Sequence, residues 1–366
     1  MSRSSTPHPT TISIPQIEDE GEAYLVQSFL DHATKSGRLV PANSNRDAEE
    51  PLVDLTQALP LRSKRTERLR KKLEKKSKTL PPRALNLLDL PQEIFTHILT
   101  FLRPSDIIAF RNVSKDVRNF VLAEETYIAN AIIKLRYPVL AKCLPPPVSL
   151  SEVDPSAHEA LLNPERSEVQ TLFIKPFQHV PAPDAEIVCS CLACIQRWLA
   201  LCVVVDFAHW QDHLDKSDPI PVIPRGTRPS WNELLLFQHS VTVLCTMRKQ
   251  LWYARLLEKH LDSTVRSIRR HSANKGNRRR RFRMTEEDAA AGTDAFLERS
   301  GPPTVDLPFH RDNYYMLEAF LPNRSWIADR QAWVYVPLEQ HDNDVRMLVQ
   351  WHPYRQKKSQ EKEPTV

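Results

Sequence analysis

Six glycines serve a chain of 366 residues that also contains 30 prolines. Glycine supplies tight, left-handed turns, and proline interrupts helices and sheets alike. A chain balanced this way builds helical blocks separated by irregular stretches rather than strands joined by glycine turns. The glycines, at 21, 37, 226, 276, 292 and 301, also lie too far apart to cradle a phosphate, so neither a Walker-type nor a dinucleotide fingerprint exists. GxSxG and HExxH are absent as well. Cys245, within a helical stretch and beside no evident electropositive group, reads as a buried thiol rather than a nucleophile. The chain is therefore expected to be no enzyme, and no cofactor is implied apart from the metal considered below.

Charge and proline then divide the chain. Residues 1–83 are expected to form a disordered arm, too poor in apolar area to offset its ordering entropy. Within it Glu22 to Thr34 is a short helical candidate, with Leu25, Phe29 and Leu30 on one side. The segment 62–83 holds eleven basic and two acidic residues. Glu67 stands four residues before Lys71, which predicts an exposed helix stopped by Pro81 and Pro82. Residues 84–140 are dense in apolar residues at helical spacing. Residues 141–188 read as a proline-rich linker, with a short helix or strand at Thr171–Lys175.

Residues 189–271 read as a helical region. Residues 191–214 contain no Gly or Pro and are long enough for a buried helix. Ser230 and Glu233 have the spacing of a capping box. The stripe Phe237, Val241, Leu244, Met247, Leu251, Ala254, Leu257, Leu261 predicts one continuous helix from there to about His271. Residues 272–304 read as a charged, disordered linker. In 305–354, Ala332–Val336 and Val345–Val349 are expected to pair as a hairpin across the turn residues His341–Asp344. Residues 355–366 are expected to be a disordered tail. The N-terminus has no secretory core, and the longest apolar run, Trp198–Val205, is far short of the roughly 20 residues a bilayer needs. The expectation is cytoplasm and/or nucleus, no membrane, and reduced cysteines.

The informative segment is 87–122, LLDLPQEIFTHILTFLRPSDIIAFRNVSKDVRNFVL. Pro91 suits a first helical turn, and Glu93 complements the positive helix end. Ile94, Phe95, Ile98, Leu99, Phe101 and Leu102 are too many apolar residues for one narrow stripe, so this helix has an inner face and a second apolar face. Arg103-Pro104 ends it. Ser105 or Asp106 is expected to cap a second helix bearing Ile107, Ile108 and Phe110. Ser114 is expected to cap a third, bearing Val117, Phe120 and Val121. Three helices in some forty residues form a core that is marginal alone, so surplus apolar surface suggests folding against a partner.

This pattern resembles the F-box family: Leu90-Pro91, acidic Glu93, the aliphatic run Ile94 to Leu102, a second helix opened by Pro104 to Ile108, then Val113-Ser114-Lys115. Val117 stands where many members carry an aromatic, and Tyr127 is the aromatic nearest to a commonly placed Trp. The resemblance implies a three-helix F-box; together with the periodicities above, the expectation is a mainly α protein, the F-box being followed by an α-rich C-terminal region with a small β-hairpin. It implies docking on a Skp-type adaptor, hence on a cullin scaffold, by helix-in-groove recognition. The implied adaptor-binding residues are Leu90, Pro91, Ile94, Phe95, Ile98, Leu99, Leu102, Ile107, Val113, Ser114, Val117 and Phe120. The remaining chain would select a protein substrate for ubiquitin transfer, its identity unknown. An alternative is a nucleus-directed binding protein that uses its F-box outside a ligase.

Two further clusters stand out. Cys189, Cys191 and Cys194 form C-x-C-x-x-C, with His209 and His213 downstream at a spacing that matches a zinc finger by letters. If 195–208 is helical, however, a rise of 1.5 Å per residue puts His209 roughly 20 Å from Cys194. That leaves buried, unreactive thiols, or zinc held by the three cysteines and a remote fourth ligand. A cysteine-rich start before a Trp-bearing helix is also similar to some fungal F-box proteins. The basic run Arg278, Arg279, Arg280, Arg281 and Arg283 suits nuclear import or a solvated flexible stretch. With only Phe282 interleaved, nucleic acid is not an expected partner.

Overall fold

The computed structural model describes residues 26, 67–68, 71–72, 87–163, 179–224, 227–274, 276, 282–301, 311–335 and 340–360. Most of the expected N-terminal arm, Thr171–Lys175, Arg278–Arg281 and the end of the tail lie outside them. The chain divides into two compact units, residues 38–98, and residues 1–37 together with 99–366.

In the first unit the exposed helical residues Glu67 and Lys71 pair at 3.9 Å, in keeping with their i,i+4 spacing. A 3₁₀ turn at Leu87–Asp89 leads into helix α1, Gln92–Thr100. The carbonyl of Pro91 accepts from the N–H groups of Ile94 and Phe95, both at 3.0 Å, so the proline starts the helix without needing a donor of its own. Helix α1 carries the chain into the second unit.

The second unit is mainly α. After α1 come α2 (Pro104–Phe110), α3 (Lys115–Ala123), α4 (Glu125–Arg136) and α5 (Pro138–Cys143). Ser114 caps α3 as its sequence position predicts, its hydroxyl accepting from Val117 N–H at 3.2 Å. For α2 the expectation is corrected. Arg103 is the N-cap residue and Pro104 occupies the first turn, while Ser105 turns elsewhere: its N–H and hydroxyl donate to Glu258 at 2.9 and 2.7 Å.

The stretch 141–188 is not a plain linker where it is described. It contains two 3₁₀ turns, Leu150–Glu152 and Pro155–Ala157, and the short helix α6 (His158–Leu161). Leu150 N–H donates to Ile187 O at 2.9 Å and Cys189 N–H to Val148 O at 3.0 Å, so the chain just before the cysteines is pinned against residues 148–150.

Helices α7 (Leu192–His209), α8 (Gln211–Lys216), α9 (Ser230–Arg248) and α10 (Gln250–Ala273) make the central block. Among the described residues α7 is the one helix long and apolar enough to cross a membrane, but 83% of it is buried inside the fold. A helix that is apolar all round belongs in a core. The single helix expected from 230 to 271 is two helices, because Lys249 is extended at φ −127°, ψ 111°. A continuous rod over 230–273 would run about 65 Å. The break lets α9 and α10 pack on each other and on α7. Nor does Ser230 cap α9: Pro229 is its N-cap residue, without a side-chain cap bond.

Residues 272–304 also depart from expectation. Helices α11 (Glu286–Ala291) and α12 (Phe296–Arg299) form there, the first opened by a Thr285–Asp288 capping box and closed by Gly292 at φ 61°. Phe282, Phe296, Leu297 and Asp294 are buried. Asp294 Oδ2 accepts from Val139 and Leu140 N–H at 2.8 and 2.7 Å, capping α5 from a distance.

The small antiparallel hairpin exists with a different partner strand. β1 (Arg324–Ile327) pairs with β2 (Ala332–Tyr335), aligning Trp326 with Trp333. His341–Asp344 is not a turn and Val345–Val349 is not a strand. Both belong to helix α13 (Gln340–Gln360), where acidic Asp342 suits the first turn and Val345 and Leu348, at i,i+3, pack against the core.

Candidate functional site

Helix α1 sorts its apolar residues onto two faces. Phe95 and Leu99 are buried. Ile94 and Ile98 are 51% and 40% exposed, Leu90 just before the helix is 37% exposed, and Phe101, seven residues after Ile94, is exposed too. Isolated exposed apolar residues would call for no explanation, but here Ile94, Ile98 and Phe101 repeat at i, i+4 and i+7 as one exposed apolar strip. Pro91, Val113 and Ser114 are also exposed, and Leu102 and Phe120 are half-buried. Ile107 and Val117 are buried. Of the twelve expected adaptor contacts, then, Phe95, Leu99, Ile107 and Val117 are packed inside the chain itself. Their apolar side chains are already withdrawn from water. Leu87, Phe101, Leu122 and Tyr127 are exposed and were not among the twelve. For Phe101 the signal was its register with Ile94 and Ile98.

Helices α2 and α4 are fastened to α10. Besides the Ser105–Glu258 bonds, Leu251 N–H donates to Glu125 Oε1 at 3.4 Å. Glu258 also receives Arg255 Nη1 at 3.2 Å. Burial raises the Glu258 pKa above the usual carboxylate range, against the opposing pull of Arg255 and Ser105.

Residues 87–128 match the F-box domain family. The chain therefore carries an F-box domain, formed by the helices from α1 into α4, ahead of an α-rich region. No curated protein and no solved structure matched the chain.

Two polar clusters lie in the second unit. Asp206 on α7 is fully buried. It accepts from Tyr314 OH at 2.8 Å, Trp210 Nε1 at 3.0 Å and Arg311 Nε at 3.2 Å, with His179 Nε2 at 3.3 Å and His239 Nε2 at 3.8 Å. Burial alone would raise the Asp206 pKa. The charges of His179, Arg311 and His239 and the Tyr314 hydrogen bond outweigh it and hold the carboxyl below its usual range. Burial brings the His239 pKa down to about 3. The cluster is sealed from water and anchors the 3₁₀ segment Arg311–Met316 to α7. Sequence reasoning missed it, since its members are scattered over 130 residues with no spacing signal.

The second cluster is Cys189, Cys191 and Cys194, whose ligand atoms converge with that of His341 from α13. His209 sits at the far end of α7 and takes no part. The Cys189 and Cys191 sulfurs, and burial after them, push the Cys194 thiol far above its usual range. Sulfurs this close do not ionise together without a cation among them. Of the expected basic run, Arg283 is described: it is exposed, and its N–H donates to Ser300 Oγ at 2.7 Å.

Proposed function

We propose that this chain is a substrate-recognition subunit of a Skp–cullin–RING ubiquitin ligase. The observation that carries the reading is the F-box match at 87–128 together with the exposure of Leu90, Ile94 and Ile98 along and just before α1. A helix presenting aliphatic side chains to solvent at this spacing suits an apolar groove on a Skp-type adaptor. F-box proteins are typically non-catalytic adaptors, and this reading assigns no reacting group to the chain. The ligase's other subunits supply the chemistry, and the chain contributes proximity between them and a bound protein. The α-rich region after residue 145 is the part left to hold that protein. The reading places the chain in the cytoplasm or nucleus, where such ligases work.

Binding of the purified adaptor to the full chain tests it. Wild type should bind. Ile98→Asp should not, because a carboxylate in an apolar groove costs several kcal/mol unless it is paired. Leu90→Ala should weaken binding measurably. Both positions are exposed, so the variants should stay folded. No binding by wild type would refute the proposal. Adaptor binding without cullin co-purification would instead favour an F-box working outside a ligase.

A further inference from the structure

Four metal-ligating groups converge where α7 begins and α13 starts. The Sγ atoms of Cys189, Cys191 and Cys194 and a ring nitrogen of His341 all lie within 4.8 Å of one another. His341 Nδ1 is 3.3 Å from both Cys191 Sγ and Cys194 Sγ. Tetrahedral zinc, at about 2.3 Å to sulfur and about 2.0–2.1 Å to nitrogen, sets its ligands about 3.8 Å apart for two sulfurs and about 3.5 Å for sulfur and nitrogen. Since no pair here exceeds 4.8 Å, drawing in on an ion requires no pair to approach by more than about 1.3 Å.

Packing accounts for three buried thiols beside Leu150, Val153 and Leu161. It does not account for an imidazole nitrogen aimed at two sulfurs. Backbone N–H groups are also directed at the sulfurs. Val148 N–H donates to Cys194 Sγ at 3.4 Å and Cys194 N–H to Cys191 Sγ at 3.4 Å. Cys191 is moreover the N-cap residue of the 18-residue α7. Three soft sulfur ligands and one imidazole in a tetrahedral set suit zinc. Four protein ligands leave no open position, which marks a structural site, not a catalytic one.

We propose that Cys189, Cys191, Cys194 and His341 bind one zinc ion in a closed structural site that fastens α13 to the start of α7. His341 lies 147 residues beyond Cys194. A second tie runs alongside: Ala193 N–H donates to Asp344 Oδ2 at 2.8 Å.

The test uses the full chain, purified without chelator and under reducing conditions. Metal analysis should find one zinc per wild-type chain and none in Cys191→Ser/Cys194→Ser. Replacing zinc with Co²⁺ should give a thiolate charge-transfer band and the intense visible bands of tetrahedral cobalt. His341→Ala, at a half-buried position, should stay folded and lose more than about tenfold in zinc affinity against a chromophoric chelator, since even losing a partner behind a ligand costs about 10–100-fold. Chelation should speed amide exchange in α13 and leave α10 unchanged. If the double cysteine variant does not fold, the cobalt spectrum and His341→Ala decide. A folded wild type with no zinc and no thiolate–cobalt band would overturn the site. So would a Cys191–Cys194 disulfide in the reduced preparation. Equal zinc affinity in wild type and His341→Ala would overturn the fourth ligand.

Discussion

Ser105→Ala tests how firmly helix α2 is joined to α10. The Ser105 hydroxyl donates to Glu258 Oε1 at 2.7 Å, while its backbone N–H reaches Oε2 at 2.9 Å and Arg255 Nη1 reaches the same oxygen at 3.2 Å. Alanine removes the first of these donors and keeps the other two. A net contribution of about 1.5–3 kcal/mol is usual for a hydrogen bond to a charged group, so a loss of about 2 kcal/mol at neutral pH is expected. Urea unfolding followed by circular dichroism should show a lower midpoint with an unchanged slope. The loss should also depend on pH. Glu258 has a folded pKa raised above its unfolded value, so the ionised form is the costly one and needs the donor most. Below the unfolded pKa the carboxyl is protonated in both states, and the penalty of Ser105→Ala should shrink. In a Ser105→Ala/Glu258→Gln cycle the coupling should be at least about 0.5 kcal/mol, as for residues in one hydrogen-bond network. A loss independent of pH, or a coupling near zero, would refute the reasoning.

Asp206→Asn should cost about 3–5 kcal/mol in the same unfolding assay, because it leaves Arg311 buried beside a neutral amide. Asp294 has a carboxyl pushed up to about 7, burial outweighing its bonds from Leu140 and Val139. Between the unfolded carboxyl pKa of about 3.9 and pH 7 the native state holds the extra proton, so this group's contribution falls by about 1.4 kcal/mol per pH unit as pH rises. Asp294→Asn should remove that slope from a stability–pH profile, and an unaltered slope would count against the assignment. Phe296→Ala should cost about 3–5 kcal/mol by urea unfolding, the usual penalty for emptying a buried aromatic site, whereas a disordered linker would lose nothing.

What was legible in the sequence came from local rules. Leu90-Pro91, Glu93 and the aliphatic run announced the F-box, and Ser114 announced the start of its third helix. The three cysteines left plain burial and metal ligation both open. What was not legible came from distant partners. Ser105 reads as a cap by position, yet Glu258, 153 residues away, takes its hydroxyl and its N–H. The charge-rich 272–304 reads as linker because Phe296, Leu297 and Asp294 show no period, and their burial is set by helices elsewhere. His341 was read as a turn residue because His-Asp-Asn-Asp is good turn chemistry. The same acidic residues are good helix-start chemistry, and the packing of Val345 and Leu348 decides between the two. Lys249 breaks a helix with neither glycine nor proline, which no propensity rule would flag.

Helix α10 is held at one end by α4 and α2, through Leu251 to Glu125 and Glu258 to Ser105, and at the other by α8, through Arg266 to Asp215 and Arg270 to the Leu214 carbonyl. It therefore acts as a shaft with a load keyed at each end. One residue inserted between positions 259 and 265 would turn the two ends against each other by about 100° and move them about 1.5 Å apart. The two loads could not both stay seated. Length between those keys is thus a hard dimension of this molecule, where loops elsewhere tolerate change.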